Sequence, residues 1–389
     1  MSATQKAFAA MKYQLGGALK KNGVNLWRFV FSAFEKMTGN ERTFFIEFAM
    51  LNPWLSPSDV LLGFKPRVKI SAEDLQHVLA GTDSAQRIKS ETLVVPSYTV
   101  VRAGTLGDGA KQLCRYFPVN DVVHTGRSFD IQIKDCRFDE NSLEGSVKCS
   151  PSEVSEHPEY LCDSGSMSWN LRYDFLLSFE NGYKTKELSW QIPGAKAVFS
   201  GEITLDGKEY NVIPRKSYGY VDRNWGSSYP SEWFHLSSSN IASLVSGKSY
   251  QNSSFALQGV YDGRISLVVN LEGKSYSFTA NSRKGAYSST WNCTQMPETE
   301  DGEKLHWSVS INSRSLILDI DVFCLVRQLY LRNWELPDGE RKTLKILAGG
   351  TGDGEIRLYK QHGKNLELLE HCRVAGVFCE YGQPEETEN

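Results

Sequence analysis

Apolar and polar residues alternate with a period of two over most of this chain, the mark of strands that bury one face and show the other to water. In "SWNLRYDFLLSF", Trp169, Leu171, Tyr173, Phe175, Leu177 and Phe179 alternate with mostly polar neighbours. The same rhythm runs through "SFDIQIKDCRF", where Phe129, Ile131 and Ile133 share a face, and through "HWSVSINSRSLILDIDVF". Each predicts a half-buried antiparallel strand. Hairpin punctuation separates the runs: Asp206-Gly207 divides "SGEITL" from "KEYNVI", Asp262-Gly263 divides "FALQGVY" from "RISLVV", and "LEGKS" and "GGTGDGE" read as further turns. The stretch "NLWRFVFSAFEKM" fits a helix through Leu26, Phe29, Val30, Ala33, Phe34 and Met37, and a strand through Trp27, Phe29 and Phe31. Its β-branched and aromatic content, followed by "TGNE" and "TFFIEFAML", favours a hairpin.

An all-β protein of two antiparallel halves is the expected architecture, preceded by a short N-terminal helix on which Phe8, Met11, Leu15 and Leu19 form one stripe. That stripe packs on the body or rests on a membrane surface as a peripheral contact. The clusters "SPSEVSEHPEY" and "QMPETEDGEK" read as loops. A chain of 389 residues exceeds what one core serves, so the halves are placed at 1–195 and 196–389, with the boundary near Lys196.

Composition narrows the partners. Hydrophobic residues make up 40% and charged residues 23%, which fits a globular chain, and a net charge of -3 offers no basic surplus for nucleic acid. No apolar run reaches the roughly 18 residues of a membrane span, and the N-terminal stretch lacks a continuous signal core, so the expected location is cytoplasmic, with membrane association through the stripe as the variant. The eight cysteines form no C-x-x-C pair and read as small core residues.

Several chemistries fail on spacing. "GTLGDGAK", Gly104 to Lys111, has two glycines at phosphate-loop spacing, but an alanine precedes the lysine and no Ser or Thr follows it. No G-x-S-x-G occurs. Glu232/His235 and Glu303/His306 share the E-x-x-H spacing of helical metal ligands, but in strands such positions face opposite sides. Neither a metal nor a cofactor is expected.

The aromatic run "SYGYVDRNWGSSYPSEWFHLSSSN" holds the remaining chemistry. On one reading Asp222 and Arg223 are a solvated loop pair and Trp225 and Trp233 fill the core. On the other, Asp222 sits in an aromatic cavity where desolvation favours its protonated form, and neighbouring rings stabilise a carbocation by about 2 kcal/mol or more. This run resembles the "G-Y-x-[DE]-x-[DN]-W-G…[FY]-P-x-x-W…N" signature of the tocopherol cyclase-like family. "GNERTFFIEFAMLNPWLSP" and "TLKILAGG…HCRVAGVFCEYG" extend the resemblance over most of the chain.

The resemblance implies two lipocalin-like β halves enclosing a hydrophobic pocket, as in carotenoid 1,2-hydratases and lipid-binding relatives. Position by position it places Asp222 at the acid, Asn224 at the second acidic or amide site, and Trp225-Gly226, Pro230, Trp233 and Asn240 at the rest, while His235 departs from the usual tryptophan. Against the hydratase branch, Trp233 with His235 and Tyr261 with Asp262 stand at the paired catalytic positions. The implied function is cofactor-free protonation of a double bond in an isoprenoid-like substrate, with Asp222 or His235 as donor. Tyr218, Tyr220, Trp225 and Trp233 would line the site, and Asn240 would orient the donor or the attacking oxygen. The alternative is a lipid-binding or lipid-transfer protein without chemistry, and either way the partner is a hydrophobic small molecule.

Overall fold

The computed structural model describes residues 3–63, 76–77, 79–81, 94–124, 129–185, 187–230, 232–280, 287–339, 344–363 and 365–383. The helix α1 (Ala3–Met11) precedes β1 (Val24–Glu35), β2 (Glu41–Leu51), β3 (Tyr98–Leu106) and β4 (Lys111–Phe117). Three short strands follow, β5 (Val122–His124), β6 (Asp130–Ile133) and β7 (Cys136–Asp139), and then β8 (Ser142–Cys149) and the helix α2 (Pro151–Glu156). β9 (Gly165–Lys184), β10 (Leu188–Leu205), β11 (Lys208–Val212) and β12 (Gly219–Gly226) complete the first sheet. Its order is β4-β3-β2-β1-β11-β10-β9-β8-β7-β6-β5, with β12 paired to both β1 and β10.

The second sheet begins with β13 (Trp233–Ser238), β14 (Asn240–Ser243), β15 (Ser254–Tyr261), β16 (Arg264–Leu271) and β17 (Lys274–Phe278). It continues through β18 (Tyr287–Gln295), β19 (Lys304–Ser313), β20 (Leu316–Leu325), β21 (Tyr330–Trp334), β22 (Leu344–His362) and β23 (Asn365–Gln383). The order is β17-β16-β15-β13-β23-β22-β20-β19-β18, with β14 on β23 and β21 on β22. The protein is all-β, built from two barrel-like antiparallel sheets. The change of sheet falls between Gly226 and Trp233, so the boundary expected near Lys196 runs through the middle of β10.

Local chemistry explains most elements. Asp206-Gly207 and Asp262-Gly263 both take positive φ, as a two-residue hairpin turn requires. The ambiguous stretch is strand as far as Glu35 and turn beyond it, and β1 pairs with β2 from Val24↔Leu51 to Phe34↔Glu41. Three expectations shift. "SFDIQIKDCRF" is a hairpin, β6 and β7, broken where Lys134 adopts φ 52. "GGTGDGE" is no turn but the centre of β22, where register shifts bend the strand and a Cβ on Gly354 would fall 2.0 Å from the Asp321 carbonyl. The loop at 150–160 contains α2, nucleated by a Ser150/Glu153 capping box with Pro151 in its first turn.

Strand alternation sorts side chains into three cores. Trp27, Phe29, Phe31, Phe44, Phe48 and Phe199 fill the first barrel, and Phe234, Leu236, Leu257, Trp307, Ile320 and Val374 fill the second. Among the described residues, these side chains pack the interior of each barrel. The third core draws Leu26, Phe45, Trp190 and Tyr220 from the first sheet and Trp233 and Phe378 from the second, and so forms the seam between them.

α1 covers one end of the first barrel. Ala7 and Met11 join its core, Phe8 stacks on Phe175 at 4.8 Å, and Leu15 is buried beyond the helix, so the apolar stripe faces the body. The last helical carbonyls meet buried donors: Trp27 Nε1 donates to Met11 O at 2.8 Å, and Arg223 donates to Ala10 O at 2.6 Å and to Lys12 O. A cation at a helix C-terminus also complements the helix dipole. Arg223→Met should therefore release α1 at a cost of about 2 kcal/mol, read as a lower urea midpoint together with faster proteolysis at Lys12. Unchanged protection of that site would refute the capping role.

Candidate functional site

On β12, Asp222 and Arg223 point to opposite faces, because successive residues of a strand must. Val221 and Arg223 face the first barrel, where the guanidinium lies over Trp27 and, at 4.5 Å, over Trp225. Burial lowers Arg223 to about 9. Tyr220, Asp222 and Asn224 face the seam, all fully or almost fully buried. The two charges adjacent in sequence are therefore not a pair.

Register builds two facing rows of polar side chains. In the first sheet Glu47, Arg28 and Asp222 are consecutive cross-strand partners on β2, β1 and β12. In the second sheet Glu380, His235, Gln258 and Ser266 are consecutive partners on β23, β13, β15 and β16. Arg28 joins the rows, donating from Nε to Glu47 at 2.9 Å and from Nη2 to Glu380 at 3.1 Å, with its guanidinium over Phe378 at 4.7 Å. Arg332 of β21 crosses the seam the other way to Glu47 at 2.8 Å, and Trp233 Nε1 donates to the second oxygen of Glu380 at 2.8 Å. Burial alone would raise Glu47, but Arg332, Arg28 and Arg102 bring it down to about 2.

Around His235 the hydrogen bonds dictate the tautomer. Gln258 Nε2 donates to Tyr183 Oη at 3.0 Å and to Asn224 Oδ1, which leaves Gln258 Oε1 to accept from His235 Nδ1 at 3.0 Å. The other ring nitrogen, Nε2, then accepts from the Ser237 hydroxyl at 3.0 Å. Burial, reinforced by the Arg28 charge, holds the imidazole well below its ordinary value, so His235 is neutral.

Asp222 behaves differently. Burial raises it, against Arg28 and two hydrogen bonds, to about 6. Trp190 Nε1 and Tyr220 Oη both donate to Oδ2, each at 3.0 Å, while Oδ1 has no hydrogen-bond partner among the described residues. Asn224 Nδ2, Arg28 Nη1 and Glu47 Oε2 are likewise buried and unpartnered. Two donors on one oxygen direct the proton of the neutral form to the other. The arrangement can hold a transferable proton on Oδ1 in a setting of Trp190, Tyr220 and the His235 ring edge.

The structure gathers only part of the expected set. Asp222, Tyr220, Trp233 and His235 meet in the seam. Trp225 does not, since it lies on the Arg223 face of β12. Tyr218 and Asn240 line a groove of about 530 Å³ farther along the seam. Tyr261 packs edge-on to Tyr183 at 5.0 Å, at the margin of the seam. Asp262 is an exposed residue of the β15–β16 turn with φ 49, a position set by turn geometry. His306 bonds Asp321 at 2.9 Å, and the described residues hold no group of three or more metal-ligating side chains. Arg28, Glu47, Trp190, Gln258, Arg332 and Glu380 went unread as site residues. For Arg28 and Glu47 the signal was present, a lone charge inside "LWRFVF" and "FFIEFAML" at the parity of the seam face.

No family model matches the chain, and no curated protein matches it. Among solved structures it is similar to CghA with Sch210972, at 10% identity and a TM-score of 0.45 over 94% of this chain and 90% of that one. It is also similar to kievitone hydratase from Nectria haematococca, at 13% identity and a TM-score of 0.43 over 95% and 93%. An AttH-like protein from Nitrosomonas europaea gives 12% identity and a TM-score of 0.42 over 92% and 94%. At such scores nothing about reaction or ligand passes from them to this chain.

The opposed shifts of Asp222 and Glu47 separate in pH. Asp222 lies above its ordinary 3.8, so its charged form destabilises the native state at pH 6 and above, and the penalty fades as pH falls through 6 toward 4. Glu47 is depressed, so its contribution is present above its ordinary 4.5 and is lost as pH falls toward 2. The melting temperature of Asp222→Asn relative to the parent should therefore rise between pH 4 and pH 6 and level off above. A difference that stays flat across that range would contradict the shift.

Proposed function

We propose that this chain carries out cofactor-independent acid catalysis, a cyclisation or hydration of a double bond in a hydrophobic isoprenoid-like substrate, in the seam between its two sheets. One observation carries the reading: a buried carboxyl raised to about 6, with both donors on Oδ2 and Oδ1 open. About one Asp222 in ten is then protonated at pH 7, enough for an acid that must also recover its proton.

In this mechanism Asp222 Oδ1–H gives its proton to one alkene carbon and the π pair forms the new C–H bond. The cation left on the other carbon is held by aromatic faces of the seam, each worth about 2 kcal/mol when desolvated. Trp190, Tyr220 and Arg28 stabilise the carboxylate as it forms. Water or a hydroxyl of the substrate adds to the cation and returns its proton to Asp222. His235 does not supply the proton, because a buried neutral imidazole held by Gln258 and Ser237 has none to spare. Its role is to fix the facing wall.

The seam is packed: beside Glu47 and Arg332 its free volume is about 20 Å³, room for about one water. A substrate therefore reaches Asp222 only as seam side chains move aside. Prenylated quinols and acyclic carotenoid precursors are the probes, read first by quenching of tryptophan fluorescence and then by product formation. Asp222→Asn should leave quenching in place and lower turnover about 100-fold or more, while His235→Gln should keep most activity. Normal turnover in Asp222→Asn with a dead His235→Gln would move the proton to the histidine. Binding without turnover in any variant would leave a lipid-binding protein, and no quenching at all would remove both.

A further inference from the structure

The groove that holds Tyr218 and Asn240 is the open end of the seam. Val30 and Ser32 line it from the face of β1 that carries Arg28, and Tyr218 lines it from just before β12. Four residues separate Tyr218 from Asp222, about 13 Å along an extended backbone. Asp222 therefore lies farther along that face, past Val30 and Tyr220, beyond the groove's own lining and beneath packed seam side chains.

Its walls come from both sheets and are mostly polar. Asn40, Tyr218 and Asn240 present side chains that make no hydrogen bond to the described residues, and Gln328, in the short 3-10 turn after β20, and Thr351 of β22 also line the groove. Tyr218 keeps a left-handed backbone, φ 42, and is 38% exposed. A non-glycine residue held in that region costs of order 1 kcal/mol and recurs at ligand clamps. Four carboxylates, Glu35, Glu41, Asp108 and Asp353, stand against two cations, Arg42 and Lys208. That balance disfavours phosphate or carboxylate and suits uncharged hydroxyls, which amide, phenol and carboxylate groups all bond.

We propose that the groove seats the neutral, hydroxylated head of an amphiphilic substrate whose chain runs along the β1/β12 face, placing its reacting bond at Asp222, about 13 Å from the head. This rests on the seam reading above and narrows the substrate to an amphiphile with an uncharged polar end.

Calorimetric titration with 1-decanoylglycerol and with decyl phosphate, both below their micellar concentrations, tests it. The glycerol head should bind about tenfold tighter than the phosphate, and Asn240→Ala and Tyr218→Gly should each weaken the glycerol lipid severalfold without lowering the melting temperature. Glycine suits the left-handed backbone, so the second variant removes the ring without adding strain. Equal or tighter binding of decyl phosphate, or groove variants that bind like the parent, would overturn the head-seat. If prenylated quinols quench fluorescence while neither decyl amphiphile binds, the seam reading stands and the head-seat falls. If no hydrophobic ligand of any kind binds, both fall together.

Discussion

The seam depends on Arg28. Its guanidinium is fully buried, bonds one carboxylate from each sheet, and lies beside a third, Asp222, on its own sheet. Burial would weaken that charge, yet Glu380, Asp222 and Glu47 together raise its hold on the proton above the ordinary arginine value. Removing Arg28 would take from Glu380 its nearest cation and leave both buried carboxylates to Arg332, 2.8 Å from Glu47 and 3.7 Å from Glu380, a loss of about 3–5 kcal/mol, even though a buried ion pair adds little over a well-packed apolar contact. Its contribution is register. Glu47 and Glu380 can both be reached only if β1, β2 and β23 are aligned to within one residue, because a slip of one turns every side chain to the other face.

That same constraint gives Asp222 its chemistry. Arg28 is already committed to Glu47 and Glu380, so its charge offsets only part of the desolvation of Asp222, and the carboxyl settles between an ion-paired acid and an isolated one. Glu47, one strand away, sees Arg332, Arg28 and Arg102 and goes the other way. Two carboxylates in one row, flanking one arginine, are thus moved in opposite directions, to about 2 and about 6, by the number of cations each faces.

What could be read from the sequence follows from how local each signal is. Period-two alternation and Asp-Gly turns act within a few residues, so the strands, the β1–β2 hairpin and the inward and outward parity of Trp233, Phe234, His235 and Leu236 were legible. The seam rows were not, because Arg28, Glu47, Asp222 and Glu380 are brought together by cross-strand register over as many as 352 positions. Motif spacing placed Trp225 beside Asp222, and strand parity places it on the opposite face. Asp262 was drawn into the site by pairing with Tyr261, although its Asp-Gly neighbourhood already specified a turn.

Placing the site in the seam and not in a barrel has a physical consequence. The first barrel is filled largely by aromatic and the second largely by aliphatic side chains, and opening either would expose apolar surface at about 25 cal/mol per Å². The seam is held partly by ion pairs and amide hydrogen bonds, whose partners regain hydration when they part, so the same displacement costs less there. The groove at Tyr218 and Asn240 shows where the two sheets already stand apart. With both barrel interiors filled among the described residues, the polar seam where the sheets meet can adapt, and the buried carboxyl with the unpartnered oxygen lies there.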